Sequence, residues 1–172
     1  EEVKKTESGL LVKVLFPAPQ LDKIGDKTRI VMKGAPAGAN PGRPILPCRT
    51  VRVLLPEGVD LKGVTVELGS PVFIGKEITP AVSGVQSPPS LDRVEGVGAI
   101  KFQGRFPKKV LEAGSIQRYR GRRILPLQVR PVIWDADSKD AYYYPEICIR
   151  IRWKQGAANR THVGSQNKSA LL

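Results

Sequence analysis

Side chains able to do covalent or acid–base chemistry are few in this chain, and they lie far apart. His162 is the single histidine, in the polar stretch His162-Val163-Gly164-Ser165-Gln166-Asn167. Cys48 and Cys148 are the only cysteines. A zinc site needs four nitrogen or sulfur ligands, usually in close pairs, and this sequence has no such pair. A Cys–His nucleophile pair would need His162 to fold back from a polar tail. Asp135, Asp137 and Asp140 form the densest carboxylate group. A calcium loop also uses oxygen ligands at alternate positions, but its glycine and closing Glu are missing here, so the group reads as a polar hairpin turn. Gly96-Val97-Gly98 lacks the third glycine and the helical pattern of a dinucleotide fingerprint, and no phosphate loop occurs. The expectation is a chain with no catalytic residue, no metal and no cofactor, which works by binding.

Charge says what it would bind. The 172 residues carry 28 Lys/Arg against 16 Asp/Glu, a net +12. The excess is uneven: residues 1–100 are nearly balanced, and residues 101–172 hold most of it. Such asymmetry suits a partner of opposite sign, or else a solvated basic face. Arg118, Arg120, Arg122 and Arg123 form the tightest cationic cluster.

The elements that position these groups are strands. Hydrophobic residues make up 41% of the chain and aromatics 6%, which fits a globular domain and argues against wholesale disorder. No apolar run reaches the length of a membrane helix, and no n-region, h-region and cleavage site open the sequence, so any signal peptide is expected to have been removed already or to lie outside it. Fifteen prolines and 17 glycines punctuate the whole length, and no helical period survives two turns. In Ile147-Cys148-Ile149-Arg150-Ile151-Arg152-Trp153 the Ile and Trp residues alternate with Cys and Arg, the mark of a half-buried strand. Val51–Leu55 alternates in the same way and stops at Pro56-Glu57-Gly58, a turn.

Further strands are expected at Leu10–Phe16, Arg29–Lys33, Val64–Leu68, Val72–Ile78, Gly98–Phe102 and Ile124–Pro131. Tyr142–Tyr144 reads as the start of the strand that Ile147 continues, with Pro145 at a bulge or edge. Gln20–Thr28 reads as a connection. The predicted fold is all-β, an antiparallel β-sandwich, jelly-roll or barrel-like, with little helix. Residues 1–154 would form one domain and 155–172 a polar tail. Ser83–Val97 is too long and polar for a turn, and loops of that length usually carry function.

The proline motifs go further than composition. Gly42-Arg43-Pro44-Ile45-Leu46-Pro47, then an alternating strand ending at Pro56-Glu57-Gly58, resembles the opening of gingipain-type propeptides, the prodomains of a family of cysteine peptidases. Ile78-Thr79-Pro80, Phe106-Pro107, Arg120-Gly121-Arg122 with Leu125–Pro131, and Trp134-Asp135 leading to Tyr142-Tyr143-Tyr144 are similar to that family's later steps, in its order. The match runs over residues 30–154. Trp134 stands where the family commonly has Tyr, and Pro88-Pro89 where a basic residue is expected. Pro44 and Pro47 hold Arg43 and Leu46 extended and remove two donors, so the segment is a stiff strand entry with Leu46 as core anchor.

The resemblance implies a non-catalytic prodomain that helps a following cysteine peptidase to fold, keeps it latent, and is exported with it to a secreted or periplasmic location. Such a compartment would let Cys48 and Cys148 pair, although Cys148 shares the outward face with Arg150 and Arg152. The expected inhibitory segment is Ser87, Pro88, Pro89, Ser90, Leu91, Asp92 and Arg93. Its prolines would resist cleavage, and Arg93 could enter an acidic pocket. The basic face Arg118, Arg120, Arg122, Arg123 is the fallback contact. Two other readings are a secreted protein- or carbohydrate-binding module and a basic single-strand nucleic-acid binder. The second lacks exposed rings between its cations beyond Tyr119, and Trp153 falls on the apolar side of its strand.

Overall fold

The computed structural model describes residues 2–38, 40–83 and 102–155. Among these residues there is no helix, and sixteen strands run in chain order. They are β1 (Glu2–Thr6), β2 (Gly9–Leu15), β3 (Gln20–Ile24), β4 (Lys27–Val31), β5 (Ala37–Gly38), β6 (Leu46–Pro47), β7 (Arg49–Leu55) and β8 (Val59–Leu68). There follow β9 (Val72–Gly75), β10 (Arg105–Phe106), β11 (Leu111–Ala113), β12 (Gln117–Tyr119), β13 (Arg122–Val129), β14 (Val132–Asp135), β15 (Ala141–Tyr143) and β16 (Glu146–Gln155).

Three main sheets surround one core. The first has the order β1-β2-β16-β8, the second β10-β14-β15-β9, and the third places β13 between β7 on one side and β11 and β12 on the other. The β3–β4 and β5–β6 pairs complete the set. All named strand pairings are antiparallel. The inward residues Val12, Val14, Ile147, Ile149 and Ile151 of the first sheet meet Val51, Val53, Leu125 and Leu127 of the third and Val132 and Trp134 of the second in one buried cluster. The alternation in Ile147–Trp153 is realised residue by residue, with Ile and Trp buried and Arg150 and Arg152 exposed.

Local chemistry explains where strands differ from their sequence expectations. Tyr142–Tyr144 and Ile147–Trp153 are not one strand. β15 belongs to the second sheet and β16 to the first, and the chain changes sheets at Tyr144-Pro145. Pro145 lacks the N–H that a continuing ladder would need. Gln20–Thr28 is not a plain connection, since it holds β3, a turn and the start of β4.

β8 begins five residues before Val64. Its pairing with β16 slips between Arg152 and Trp153, so that Val64 and Val66 oppose Ile151 and Ile149 while Leu61 opposes Trp153. That bulge switches the inward parity of β8, which breaks the alternation in the sequence. β9 ends at Gly75, short of Ile78, and Glu77 follows with a φ of 54°. The expected strand Gly98–Phe102 falls almost wholly outside the described residues.

Two close approaches fix the registers. A Cβ on Gly9 would collide with the Ile151 carbonyl oxygen, so only glycine lets β2 lie against β16 there. Pro126 sits inside β13 and its carbonyl accepts from the Gly114 N–H at 2.8 Å, where the neighbour changes from β12 to β11. Its missing donor therefore falls at the break between two strands and leaves no ladder bond unmade.

Candidate functional site

The inhibitory segment expected at Ser87–Arg93 lies outside the described residues, as does His162. The two ends of the chain that carry that segment are described, and both are firmly built. On the entry side, residues 78–83 run as an extended stem. Thr28 N donates to Thr79 O (2.8 Å), Ile45 N to Ala81 O (2.8 Å), Ser83 N to Arg43 O (3.0 Å) and Gly42 N to Ser83 O (2.9 Å). The stem thus lies between β4 and the Gly42–Pro47 motif. The stiff entry of that motif serves as a rail for the stem, and Leu46 is buried as its core anchor.

On the exit side, Ala136 N donates to Gly104 O (2.9 Å), Gly104 N to Asp137 Oδ2 (3.1 Å) and Arg105 Nε to Asp135 Oδ2 (3.3 Å). The Asp cluster is a hairpin turn, as the sequence suggested: Trp134 pairs with Ala141, and Asp135 Oδ1 accepts the N–H groups of Asp137 (3.1 Å) and Ser138 (3.4 Å). Those bonds hold the Asp135 carboxyl below the usual range, the Asp137 N–H first, with help from Ser138 and Arg105.

Trp134 joins the two stems. Its indole N–H donates to the Ile78 carbonyl at 2.8 Å on the entry side. Its ring meets Phe102 edge-on at 6.3 Å on the exit side. Sequence reading singled out Trp134 as an aromatic step in a motif and missed this link, because a contact across 56 residues leaves no local signal.

The basic cluster is a hairpin tip. β12 and β13 pair with Arg118 opposite Arg123 and Tyr119 opposite Arg122. The turn between them has φ of 48° at Arg120 and 76° at Gly121, a two-residue turn with both central residues left-handed. That conformation costs a non-glycine residue roughly 1–2 kcal/mol. The Arg120 guanidinium lies 5.3 Å from the Tyr119 ring centroid. Arg123 is drawn inward and donates to the Val59 carbonyl at 2.5 Å. Arg118, Arg120 and Arg122 are exposed, and among the described residues none of the four makes an ion pair.

A second basic feature escaped the sequence reading. Arg130 is buried at the far end of β13 and donates to Glu112 Oε2 (2.7 Å) and Gln128 Oε1 (2.9 Å). It lines a 350 Å³ cleft with Arg43, Arg105 and Lys108, beside both stems. A buried arginine has no distinctive sequence signal when its partners are one exposed acid and one amide.

Cys48 and Cys148 are both free. Burial pushes each thiol up, with Glu146 adding to the effect at Cys148. The Arg130 guanidinium opposes that push at Cys48 without reversing it, and neither thiol is fully exposed. Among the described residues, no group of three His, Cys, Asp or Glu side chains could hold a metal, and no helix is long and apolar enough to cross a membrane.

No protein-family model matches the chain, and no curated protein matches it. Solved structures do. The chain is similar to one in the complex of Porphyromonas gingivalis RgpB pro- and mature domains, with a TM-score of 0.68 and 20% identity over 90% of this chain and 82% of that one. It is also similar to a structure concerned with the zymogenic latency of gingipain K from Porphyromonas gingivalis, with a TM-score of 0.59 and 18% identity over 87% of this chain and 89% of that one. The resemblance to gingipain-type propeptides carried by the proline motifs therefore holds at the level of the fold.

Proposed function

We propose that the chain is the prodomain of an exported cysteine peptidase precursor. It would guide folding of the peptidase domain and keep it latent by laying Ser87–Arg93 across the active-site cleft. The observation that carries this reading is the paired stem: residues 78–83 and 102–105, which flank residues 84–101, are hydrogen-bonded into the scaffold and linked through Trp134, in a chain with the fold of the gingipain structures. A scaffolded segment loses less entropy on binding than a free peptide. The chemistry belongs to the partner. Burial pushes both free thiols up, so neither is an activated nucleophile among the described residues.

The test is expression of the precursor's peptidase domain with and without this chain. The reading expects soluble, latent peptidase in its presence and either misfolded or fully active peptidase in its absence. A reading frame in which this chain is joined to no peptidase, or a peptidase whose yield and activity ignore the chain, would refute it.

A further inference from the structure

We infer that the β12–β13 hairpin tip, together with the apolar sheet face behind it, is a second docking surface for an acidic face of the peptidase domain; this rests on the prodomain reading above. The tip stands at the opposite end of β13 from the stems. β13 has eight residues, so the two places are roughly 26 Å apart at about 3.3 Å per residue. A catalytic domain of ordinary size is wider than that and can touch both.

Three independent observations meet at the tip. The first is charge: Arg118, Arg120, Arg122 and Arg123 fall within six residues, and no Asp or Glu occurs from Gly114 to Ile133. Three of these guanidiniums are exposed and without an ion pair among the described residues, a self-repelling arrangement that an acidic partner would relieve. The second is apolar exposure. On the outer face of the third sheet, Leu54 pairs with Ile124, which pairs in turn with Gln117, next to the Tyr119–Arg122 pair. Leu54 is 52% exposed and Tyr119 61%. An apolar and tyrosyl centre with an arginine rim has the composition of a protein interface.

The third observation is preorganisation. Arg120 is held at a positive φ beside the Tyr119 ring, and Arg123 is fastened to Val59, so the tip is ordered before any partner arrives. Backbone outliers of this kind gather at binding sites. A protein fits these features better than a single-stranded nucleic acid, which needs successive free rings. Here there is one ring, with Arg120 beside it.

Two attachment points make the second contact intramolecular once the first has formed, which raises overall affinity without improving either contact. The probe is the peptidase domain of the same precursor, immobilised, with the folded chain flowed over it at several salt concentrations. Reversing the tip with R118E, R120E and R122E together should slow association roughly tenfold at low salt and flatten its salt dependence. The three Arg→Lys changes together should keep most of the association rate, since they keep the charge. Tyr119→Ala should speed dissociation. Unaltered rates for both the Glu triple variant and Tyr119→Ala, with melting temperatures unchanged, would overturn the inference while leaving the prodomain reading intact. Failure of the wild-type chain to bind the peptidase would remove the reading itself and this inference with it. Salt-sensitive binding of oligothymidylate in place of the peptidase would likewise overturn it.

Discussion

The indole nitrogen of Trp134 lies 2.8 Å from the carbonyl oxygen of Ile78, joining a hairpin of the second sheet to the stem that leads into residues 84–101. Ile78 is buried, so its carbonyl has no easy access to water, and the indole is its partner. Trp134→Phe keeps most of the ring and removes the donor. It should cost about 1–3 kcal/mol, the penalty of an unpaired buried acceptor, read as a shift in the urea midpoint. A midpoint equal to wild type would mean that the link contributes nothing to the scaffold.

Two backbone positions should be intolerant for different reasons. Gly9→Ala places a methyl against the Ile151 carbonyl and must push β2 away from β16. A loss of about 3 kcal/mol is expected. Gly121→Ala meets nothing within 4 Å, yet its φ is 76°. Its cost is conformational only, about 1–2 kcal/mol. Equal stability losses in denaturant melts would contradict the distinction.

Stability should fall in acid. The Asp135 carboxyl is held low chiefly by the Asp137 N–H, and Glu146 is held low by its hydrogen bond from Lys13. A carboxylate whose folded value lies below its unfolded one contributes fully above the unfolded value and loses that contribution as pH drops through the folded one. Lys13 is raised by the same Glu146 contact, so its contribution is lost only in strong alkali. Both carboxylates are half-buried and still reach solvent, which keeps the effect small. Asp135→Asn should flatten the acid limb of stability against pH, and an unchanged slope would exclude Asp135 as a contributor.

Much of this fold was legible because one-sided burial writes itself as alternation. Ile147–Trp153 and Val51–Leu55 show it directly. Where burial is absent, so is the signal: all five residues of β3 are exposed, and Gln20–Ile24 has no apolar face to read. Where the backbone slips, as β8 does opposite Arg152 and Trp153, the alternation inverts and the strand looks half its length. Pro145 reads in the sequence as a disruption, but a change of sheet and a bulge look alike there. The basic tip was visible as four arginines. Its left-handed turn, its exposed apolar backing and the Trp134 link depend on strands brought together by pairing, which no local pattern encodes.

The central claim is that Ser87–Arg93 blocks a peptidase cleft while the stems hold it in place. The most direct measurement is the inhibition constant of the isolated chain against the peptidase domain of its own precursor, compared with a variant whose residues 87–93 are replaced by a Gly-Ser linker. Both proteins should show the same melting temperature. The account predicts that the replacement weakens inhibition by orders of magnitude, with Arg93→Ala alone weakening it less. Undiminished inhibition by the correctly folded linker variant would contradict it.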